Sequence, residues 1–300
     1  MNTSLRWSIS IFLCCCLSPA WGQQEWGYGQ FAMNLFDINI AYAGQHETPS
    51  FGIRHRQQWT GLEGGPKSSF VSAHMPLAQN KMGAGIRFLT ESIGARQQSS
   101  FQMAWAYRIR LANGTLNFAL AGGASRNGID WNRVHVLDVE DPQISQWENA
   151  RWAPLVNAAF FYSRKNFYIG TELGQLTRSY YGETSFAQRM HLKSVLGYHK
   201  KVRKDDQLQM AGLFKWSEAG EWQAECNVMY LKNNRVGLGA GYRWNYGAVI
   251  LAQIHFTDQF RIGLNYDLAS QATQRVYEGS FEFFLGYTLP KGNVKSIRYL

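Results

Sequence analysis

The side chains that could perform chemistry are scattered along this chain of 300 residues. Seven histidines occur, and no two of them have the spacing at which a helix or a turn presents two ligands to a metal. No Gly-x-Ser-x-Gly segment holds a nucleophilic serine, and no glycine-rich loop is suited to bind phosphate. We therefore predict no catalytic residue, no metal site and no bound cofactor.

One group of carboxylates lies in the middle of the chain, at Asp138, Glu140, Asp141 and Glu148. Their segment lacks the glycine and the ligand spacing of a calcium-binding loop. We interpret it as a solvated acidic loop, with a divalent-cation site as the less favoured alternative.

The elements around these residues have the pattern of β-strands. In residues 99–110, large apolar side chains alternate with small or polar ones, which places the two sets on opposite faces of a strand. The apolar set is Phe101, Met103, Trp105, Tyr107 and Ile109. Such a strand fits a membrane barrel, with lipid on one side and a lumen on the other, but it also fits a soluble β-sandwich.

Segments of this kind recur along the chain about fourteen times. The candidate strands are residues 51–59, 68–75, 82–90, 99–110, 114–123, 154–163, 167–173, 188–199, 206–216, 221–231, 235–244, 247–256, 260–268 and 279–288. Their second face is rich in Gly, Ala and isolated Arg or Asn, which suits a narrow lumen better than the charged exterior of a sandwich. We predict an all-β fold, a transmembrane antiparallel β-barrel of about 14 strands.

The N-terminus has the features of a cleaved secretory signal peptide. Arg6 precedes an apolar stretch at residues 7–17, and small residues surround position 22. We predict a signal peptide at residues 1–22 and one barrel domain at 23–300, with an N-terminal lead-in or lumen segment at 23–50 and a periplasmic tail at 289–300. Cys226 is then the one cysteine of the mature chain, so no intrachain disulfide forms.

The net charge of the chain and the lengths of the connections between the predicted strands indicate where the protein is located. The formal net charge is +9, and an exported chain meets no nucleic acid, so we assign the excess to the lumen, to anionic lipid or to acidic partners. Long connections fall on one side of the predicted barrel, mainly at 124–153 and 174–187, with a further loop at 91–98. Tight turns fall on the other side, as in outer-membrane barrels.

Two polar, glycine-containing stretches lie near the first predicted strand, one before it and one across its C-terminal end. The first contains Gln30, Phe31, Asn34, Asn39, Ala41, Tyr42 and Gly44, and the second contains Arg56, Gln57, Gln58, Trp59, Gly61, Gly64 and Pro66. Amide side chains at this density form local turns and hydrogen bonds. We expect a segment folded into the lumen or against the periplasmic mouth, with Arg56 inside the barrel; an irregular lead-in is the simpler alternative.

These two stretches resemble the start of the PorP/SprF family of type IX secretion outer-membrane proteins. The resemblance continues at residues 241–243, 265–267, 279–287 and 296–299. Two positions depart from the family pattern: Ile40 stands where proline is usual, and Phe281 stands where histidine is common. The resemblance implies an outer-membrane location in a Gram-negative, Bacteroidota-type bacterium and no catalytic residues.

The resemblance further implies a non-enzymatic component of type IX secretion that supports export or surface anchoring of large adhesins, including gliding adhesins, through their C-terminal domains. The implied partners are that domain, subunits of the secretion machinery and outer-membrane lipid. Trp147 and Trp152 are candidate partner-loop residues, with an aromatic belt at the membrane interface as an equal alternative. The motif residues are expected to shape the lumen. Two alternatives remain, an outer-membrane channel for small or hydrophobic solutes and a barrel lipid hydrolase.

Overall fold

The fold is described from a computed structural model, which covers residues 28–134, 151–178, 189–244, 246–268 and 278–290, with Arg151 in its backbone only. The predicted signal peptide, the carboxylates at 138–148, Trp147 and the tail beyond residue 290 lie outside these residues.

Fourteen antiparallel strands form a closed ring in which each strand pairs with its neighbours in sequence and β1 pairs with β14. This confirms the predicted fold class and strand number. The strands are β1 (Ser50–Gln57), β2 (Lys67–Leu77), β3 (Met82–Ile93), β4 (Arg96–Leu111), β5 (Gly114–Ile129), β6 (Arg151–Arg164), β7 (Phe167–Gly174), β8 (His191–Lys201), β9 (Gln207–Ser217), β10 (Trp222–Lys232), β11 (Val236–Arg243), β12 (Gly247–His255), β13 (Phe260–Leu268) and β14 (Gly279–Thr288).

Strand ends differ from the predicted ones where pairing continues beyond the apolar alternation. The predicted loop at 91–98 is wrong: β3 and β4 continue through it, with Ser92 opposite Gln97 and Ile93 opposite Arg96. Gly94, with φ of +56°, makes the two-residue turn. The alternation pattern does not reveal this extension, because its residues are polar. A hairpin that projects into water no longer needs an apolar face.

The outer face of the ring is apolar. Met103, Trp105, Leu120 and Leu238 are each at least half exposed, between 52% and 66%. The large side chains of residues 99–110 are all exposed, so the face predicted to contact lipid points outward. Cys226 also lies on this outer face as a free thiol. Among the described residues, no helix is both long and apolar enough to cross a membrane.

The two ends of the barrel differ. We call the end with the β2–β3, β4–β5, β6–β7, β8–β9, β10–β11 and β12–β13 connections the turn end, since each of these connections has two to five residues. The opposite, loop end carries the two longest connections, β5–β6 and β7–β8. In outer-membrane barrels the short turns are periplasmic.

Candidate functional site

Residues 28–49 lie inside the barrel, and we call them the plug. The plug contains three one-turn 3-10 helices, Phe31–Met33, Leu35–Asp37 and Ile40–Tyr42. The Asn39 side chain caps the third helix by accepting a hydrogen bond from the Ala41 amide at 2.9 Å. Phe31, Phe36 and Ile40 are completely buried, so the hydrophobic core of this protein lies within the lumen.

The barrel wall has small residues where the plug approaches it. A Cβ atom on Gly52 would lie 2.6 Å from the Asn34 amide nitrogen, and one on Gly83 would collide with the backbone of Ala43. Gly44 itself has φ of +66°, and a Cβ there would lie 2.8 Å from the Gly83 Cα. The plug backbone therefore packs directly against the wall, and larger side chains at these positions would displace it.

A chain of buried ion pairs begins at the plug and follows the wall. Arg54 on β1 donates to the Asp37 carboxylate of the plug at 3.2 Å and to Glu282 on β14 at 2.5 Å. Glu282 also accepts the plug amides of Gly29, at 3.0 Å, and Gln30, at 3.3 Å. Burial of these charges is tolerated because each is both paired and hydrogen-bonded.

The same chain continues toward the loop end. Arg56 donates to Glu282 at 3.2 Å and also to Asp267, which accepts a second bond from Arg243 at 2.6 Å. Arg243 in turn binds Glu225 at 2.7 Å. Four carboxylates and three guanidinium groups thus alternate from the plug to β10 in one connected network.

A second ion pair holds the middle of the plug. Glu172 on β7 is fully buried and accepts both Nη atoms of Arg87 on β3, at 3.0 and 3.1 Å. The same carboxylate accepts the Ile40 amide at 2.7 Å, and Arg87 donates to the Phe36 carbonyl. Two wall strands on different sides of the plug are therefore joined through it.

Amide and guanidinium side chains complete the anchoring at the turn end. Asn117 donates to the Ala41 carbonyl at 2.8 Å, and Gln45 donates to the Ser163 hydroxyl at 2.8 Å. Arg108 donates to the Gly44 carbonyl at 2.6 Å. Plug carbonyls and amides that have no helical partner are satisfied by the wall, as buried backbone groups require.

The structure places the first motif in the plug. Gln30 donates to the Ala252 carbonyl at 2.8 Å, and Asn34 donates to Asp37 and Ser72 at 2.7 and 3.0 Å. Asn39 also donates to the Phe160 carbonyl at 3.0 Å. The Tyr42 ring meets Phe161 edge-on, with centroids 5.2 Å apart.

The second motif spans the end of β1 and the β1–β2 connection at the loop end. Arg56 is buried in the lumen, whereas the amide of Gln58 closes the connection on the Pro66 carbonyl at 2.8 Å. Trp59, Gly61 and Gly64 have φ of +53°, +87° and +73°. These residues form a compact turn, and the paired amides and carbonyls of Thr60 and residues 278–279 fix it against β14.

A small recess lies beside this turn. Arg56, Arg243 and Asp267 form part of its lining, with Trp59 and Tyr246 among the other lining residues. The ion-pair chain thus reaches a recess at the loop end, on the side where partner loops are predicted.

His46 in the plug and Asp206 in the β8–β9 turn are two of the groups outside the strands whose pKa values are shifted. Burial beside Tyr42 and His74 lowers the pKa of His46 in the plug to about 4. Asp206 accepts hydrogen bonds from the Asn233 amide and from the Tyr230 hydroxyl. These two bonds, the first more than the second, lower the pKa of Asp206. His46 is therefore neutral and Asp206 ionised at neutral pH.

Sequence reasoning did not single out most members of the ion-pair network. Asp37, Arg87, Glu172, Glu225, Arg243 and Glu282 were not among the predicted site residues, although Asp37 lies in the first motif. A usable signal exists, because Arg87, Glu172, Glu225 and Glu282 are charged residues at inward positions of alternating strands. Of the candidate partner residues, Trp152 is 68% exposed at the start of β6.

One Ser–His contact bears on the hydrolase alternative. His55 and Ser69 are directly opposite each other on β1 and β2, and His55 Nδ1 lies 2.9 Å from Ser69 Oγ on the outer face. In the described residues, no carboxylate or amide side chain hydrogen-bonds the other ring nitrogen of His55. No group of three or more His, Cys, Asp or Glu that could hold a metal occurs in that part of the chain.

The closed ring, the apolar outer face and the plugged lumen define a transmembrane β-barrel of the outer-membrane class. The family model of the type IX secretion system membrane protein PorP/SprF matches residues 20–287. The chain belongs to this family, which makes it an outer-membrane barrel of the type IX secretion system.

Solved outer-membrane proteins are similar in outline. Omp33 of Acinetobacter baumannii is 7% identical, with a TM-score of 0.49 over 81% of this chain and 99% of that one. The Pseudomonas putida toluene transporter TodX is 9% identical, with a TM-score of 0.49 over 88% and 94%. An Escherichia coli outer membrane phospholipase A is 13% identical, with a TM-score of 0.39 over 81% and 90%. A search of curated proteins finds no match.

Proposed function

We propose that this barrel is a non-enzymatic, plugged outer-membrane component of type IX secretion that supports export or surface anchoring of a large adhesin. It holds the C-terminal domain of the adhesin at the loop end. The observation that carries the proposal is the ion-paired plug: a barrel whose lumen is filled and locked in this way suits a fixed platform better than an open conduit.

The buried contacts between the barrel wall and the plug support the proposal. Arg54, Glu282 and Glu172 are all at most 1% exposed, and each contacts both the wall and the plug. Removing one member of a buried pair typically costs about 3–5 kcal/mol. Displacement of the plug breaks the Arg54–Asp37 pair together with the hydrogen bonds from plug amides to Glu282 and Glu172. A held protein therefore contacts the loops rather than the lumen.

The partner contact is assigned to the loop end, where Trp147 and Trp152 supply large side chains of the kind that dominate protein interfaces. The family motif residues act indirectly, since they fix the plug and the β1–β2 turn. This division predicts that loop substitutions change partner affinity while motif substitutions change barrel stability.

The test uses the full chain in detergent and the purified C-terminal domain of an adhesin exported by the same cell. We expect the wild type to retain the domain, and W147A/W152A to weaken binding at least tenfold. The matched control is W105A, a tryptophan on the lipid-facing side of β4. Failure of the wild type to retain the domain, or equal binding by both variants, would contradict the proposal.

The channel alternative makes an opposite prediction in planar bilayers. The wild type is expected to show no steady conductance at low voltage, because the plug occupies the lumen. A steady open pore in the wild type would favour solute transport over anchoring.

A further inference from the structure

The turn end of the barrel carries a strong excess of positive charge. We call residues 78–81, 108–115, 162–167, 199–207, 232–235 and 255–261 the turn-end rim. It contains twelve Lys and Arg residues against three Asp. The cations are Lys81, Arg108, Arg110, Arg164, Lys165, Lys200, Lys201, Arg203, Lys204, Lys232, Arg235 and Arg261.

The loop end does not share this excess. Where side chains are described there, in the connections and the strand residues beside them, six Lys and Arg face six Asp and Glu. These are Lys67, Arg96, Arg126, Arg133, Arg178 and Arg189 against Glu63, Glu91, Asp130, Glu218, Glu221 and Glu278. The charge asymmetry between the ends is therefore a property of the folded barrel that the net charge of the chain does not reveal.

Most of the rim cations are available to a partner. Ten of the twelve are exposed, and Arg108 and Arg261 are half-buried. Within the described residues, Arg235 is the one rim cation in an ion pair, with Asp258 at 3.4 Å. Asp206, the buried rim carboxylate, is already bound by the Tyr230 hydroxyl and the Asn233 amide.

The cations form an arc rather than isolated points. The β2–β3, β6–β7, β8–β9 and β10–β11 turns each contain at least one, and Arg108 and Arg110 at the end of β4 lie beside the β4–β5 turn. The β8–β9 region contributes four between residues 200 and 204. Neighbouring turns of a barrel lie within about one Debye length of each other, roughly 8–10 Å at physiological salt, so their potentials add.

The direction of the side chains favours a protein over lipid headgroups. By strand alternation, Arg164, Lys200 and Lys232 continue the lipid-facing rows of β6, β8 and β10. Arg108, Arg110 and Lys201 instead continue lumen-facing rows, and Lys81, Lys165, Arg203 and Lys204 lie in the turns themselves. Most of the arc thus faces the water beyond the mouth.

We propose that the turn-end rim is a docking surface for a periplasmic protein that presents an acidic face. Long-range attraction orients that partner under the barrel mouth, and the turn cations pair with its carboxylates. This inference does not depend on the adhesin assignment, because it concerns the opposite end of the barrel.

The experiment places a photo-crosslinking amino acid at Lys165, in the turn beside the main cluster, in the full chain in its native host. We expect a protein adduct whose crosslinked segment is rich in Asp and Glu. K200E/K201E/R203E/K204E should reduce that adduct at least tenfold. The matched loop-end variant K67E/R126E/R133E/R189E should leave it unchanged.

Folding of every variant is checked by the gel mobility shift between unheated and heated samples. Adducts with phospholipid or lipopolysaccharide alone would overturn the proposal in favour of a lipid-binding rim. Absence of any adduct, a crosslinked segment without acidic excess, or equal loss in both quadruple variants would also overturn it. Adhesin binding at the loop end is expected to survive the turn-end quadruple variant, which separates the two proposals.

Discussion

The Glu172 carboxylate on β7 binds the Arg87 guanidinium on β3 with two hydrogen bonds, at 3.0 and 3.1 Å, across a lumen that the plug fills. The strands are four apart in the ring, so this ion pair is not a contact between neighbours. Because the plug's Ile40 amide and Phe36 carbonyl join the same pair, it fixes wall and plug together.

Replacing Glu172 with Gln is expected to destabilise the barrel by about 3–5 kcal/mol, because it leaves the buried Arg87 charge without its carboxylate. Urea unfolding of the protein in lipid vesicles measures the change. The double variant R87M/E172L should recover much of that loss, since it removes both charges. A single variant as stable as the wild type would contradict the assigned role of the pair.

Replacing Ile40 with Pro tests the plug's backbone bond to Glu172. Asn39 is extended, with φ of −140° and ψ of 114°, and Ile40 begins a helix, so proline fits the backbone there but lacks the amide donor. We expect a loss of about 1.5–3 kcal/mol, because the acceptor is a charged, buried carboxylate. I40V retains the donor and serves as the control; if both variants lose equal stability, packing rather than the hydrogen bond is responsible.

Replacing Gly83 with Ala is expected to displace the plug, because the new Cβ meets the backbone of Ala43 and backbone cannot yield cheaply. Limited proteolysis of the plug should become at least several-fold faster. Gly122 on β5 is the matched control, since a Cβ there meets no atom within 4 Å. Equal cleavage in G83A and G122A would show that this close approach does not hold the plug.

Acid is expected to weaken the plug through His46. Its folded pKa is about 4, below the ordinary value of 6.5, so the unfolded chain binds the proton more readily between these values. The stability contributed by neutral His46 is thus present above about pH 6.5 and lost as pH falls toward 4. The urea midpoint should decline less over this range in H46Q, and identical declines would exclude this residue as the source.

The His55–Ser69 pair is expected to be a cross-strand hydrogen bond without hydrolytic function. The Ser69 hydroxyl contacts His55 Nδ1, and among the described residues no side chain hydrogen-bonds His55 Nε2 to orient the ring. S69A and H55Q should therefore release fatty acid from phospholipid at the same rate as the wild type. The measurement is release of fatty acid from mixed micelles by purified protein, and activity lost in S69A would establish the hydrolase alternative.

Much of the fold follows from alternation alone. Residues 99–110 place their apolar side chains on one face, and the structure places that face outward, as it does for Leu238 and Tyr242 on β11. The extension of β3 beyond Thr90 and of β4 before Ser99 could not be predicted, because strand pairing in water uses backbone groups that carry no side-chain signal.

The contacts of the candidate site are harder to predict from the sequence than the strands are. The polar N-terminal stretch predicts a segment without regular strands, and Arg56 marks an inward position. The partners of Arg56, Asp267 and Glu282, lie more than 200 residues away. Such pairs are decided by which strands close the ring, and no local pattern contains that information.

The bond between Glu282 and the amides of Gly29 and Gln30 joins the last strand of the ring to the beginning of the plug. β14 also pairs with β1 and so closes the ring. The same strand therefore completes the barrel wall and anchors the beginning of the plug. Closure of the ring and anchoring of the beginning of the plug therefore both depend on residues of β14. A chain shortened before Glu282 would leave β1 and β13 with unpaired edges and the Gly29 and Gln30 amides without their carboxylate partner, so one truncation would open the wall and release the start of the plug.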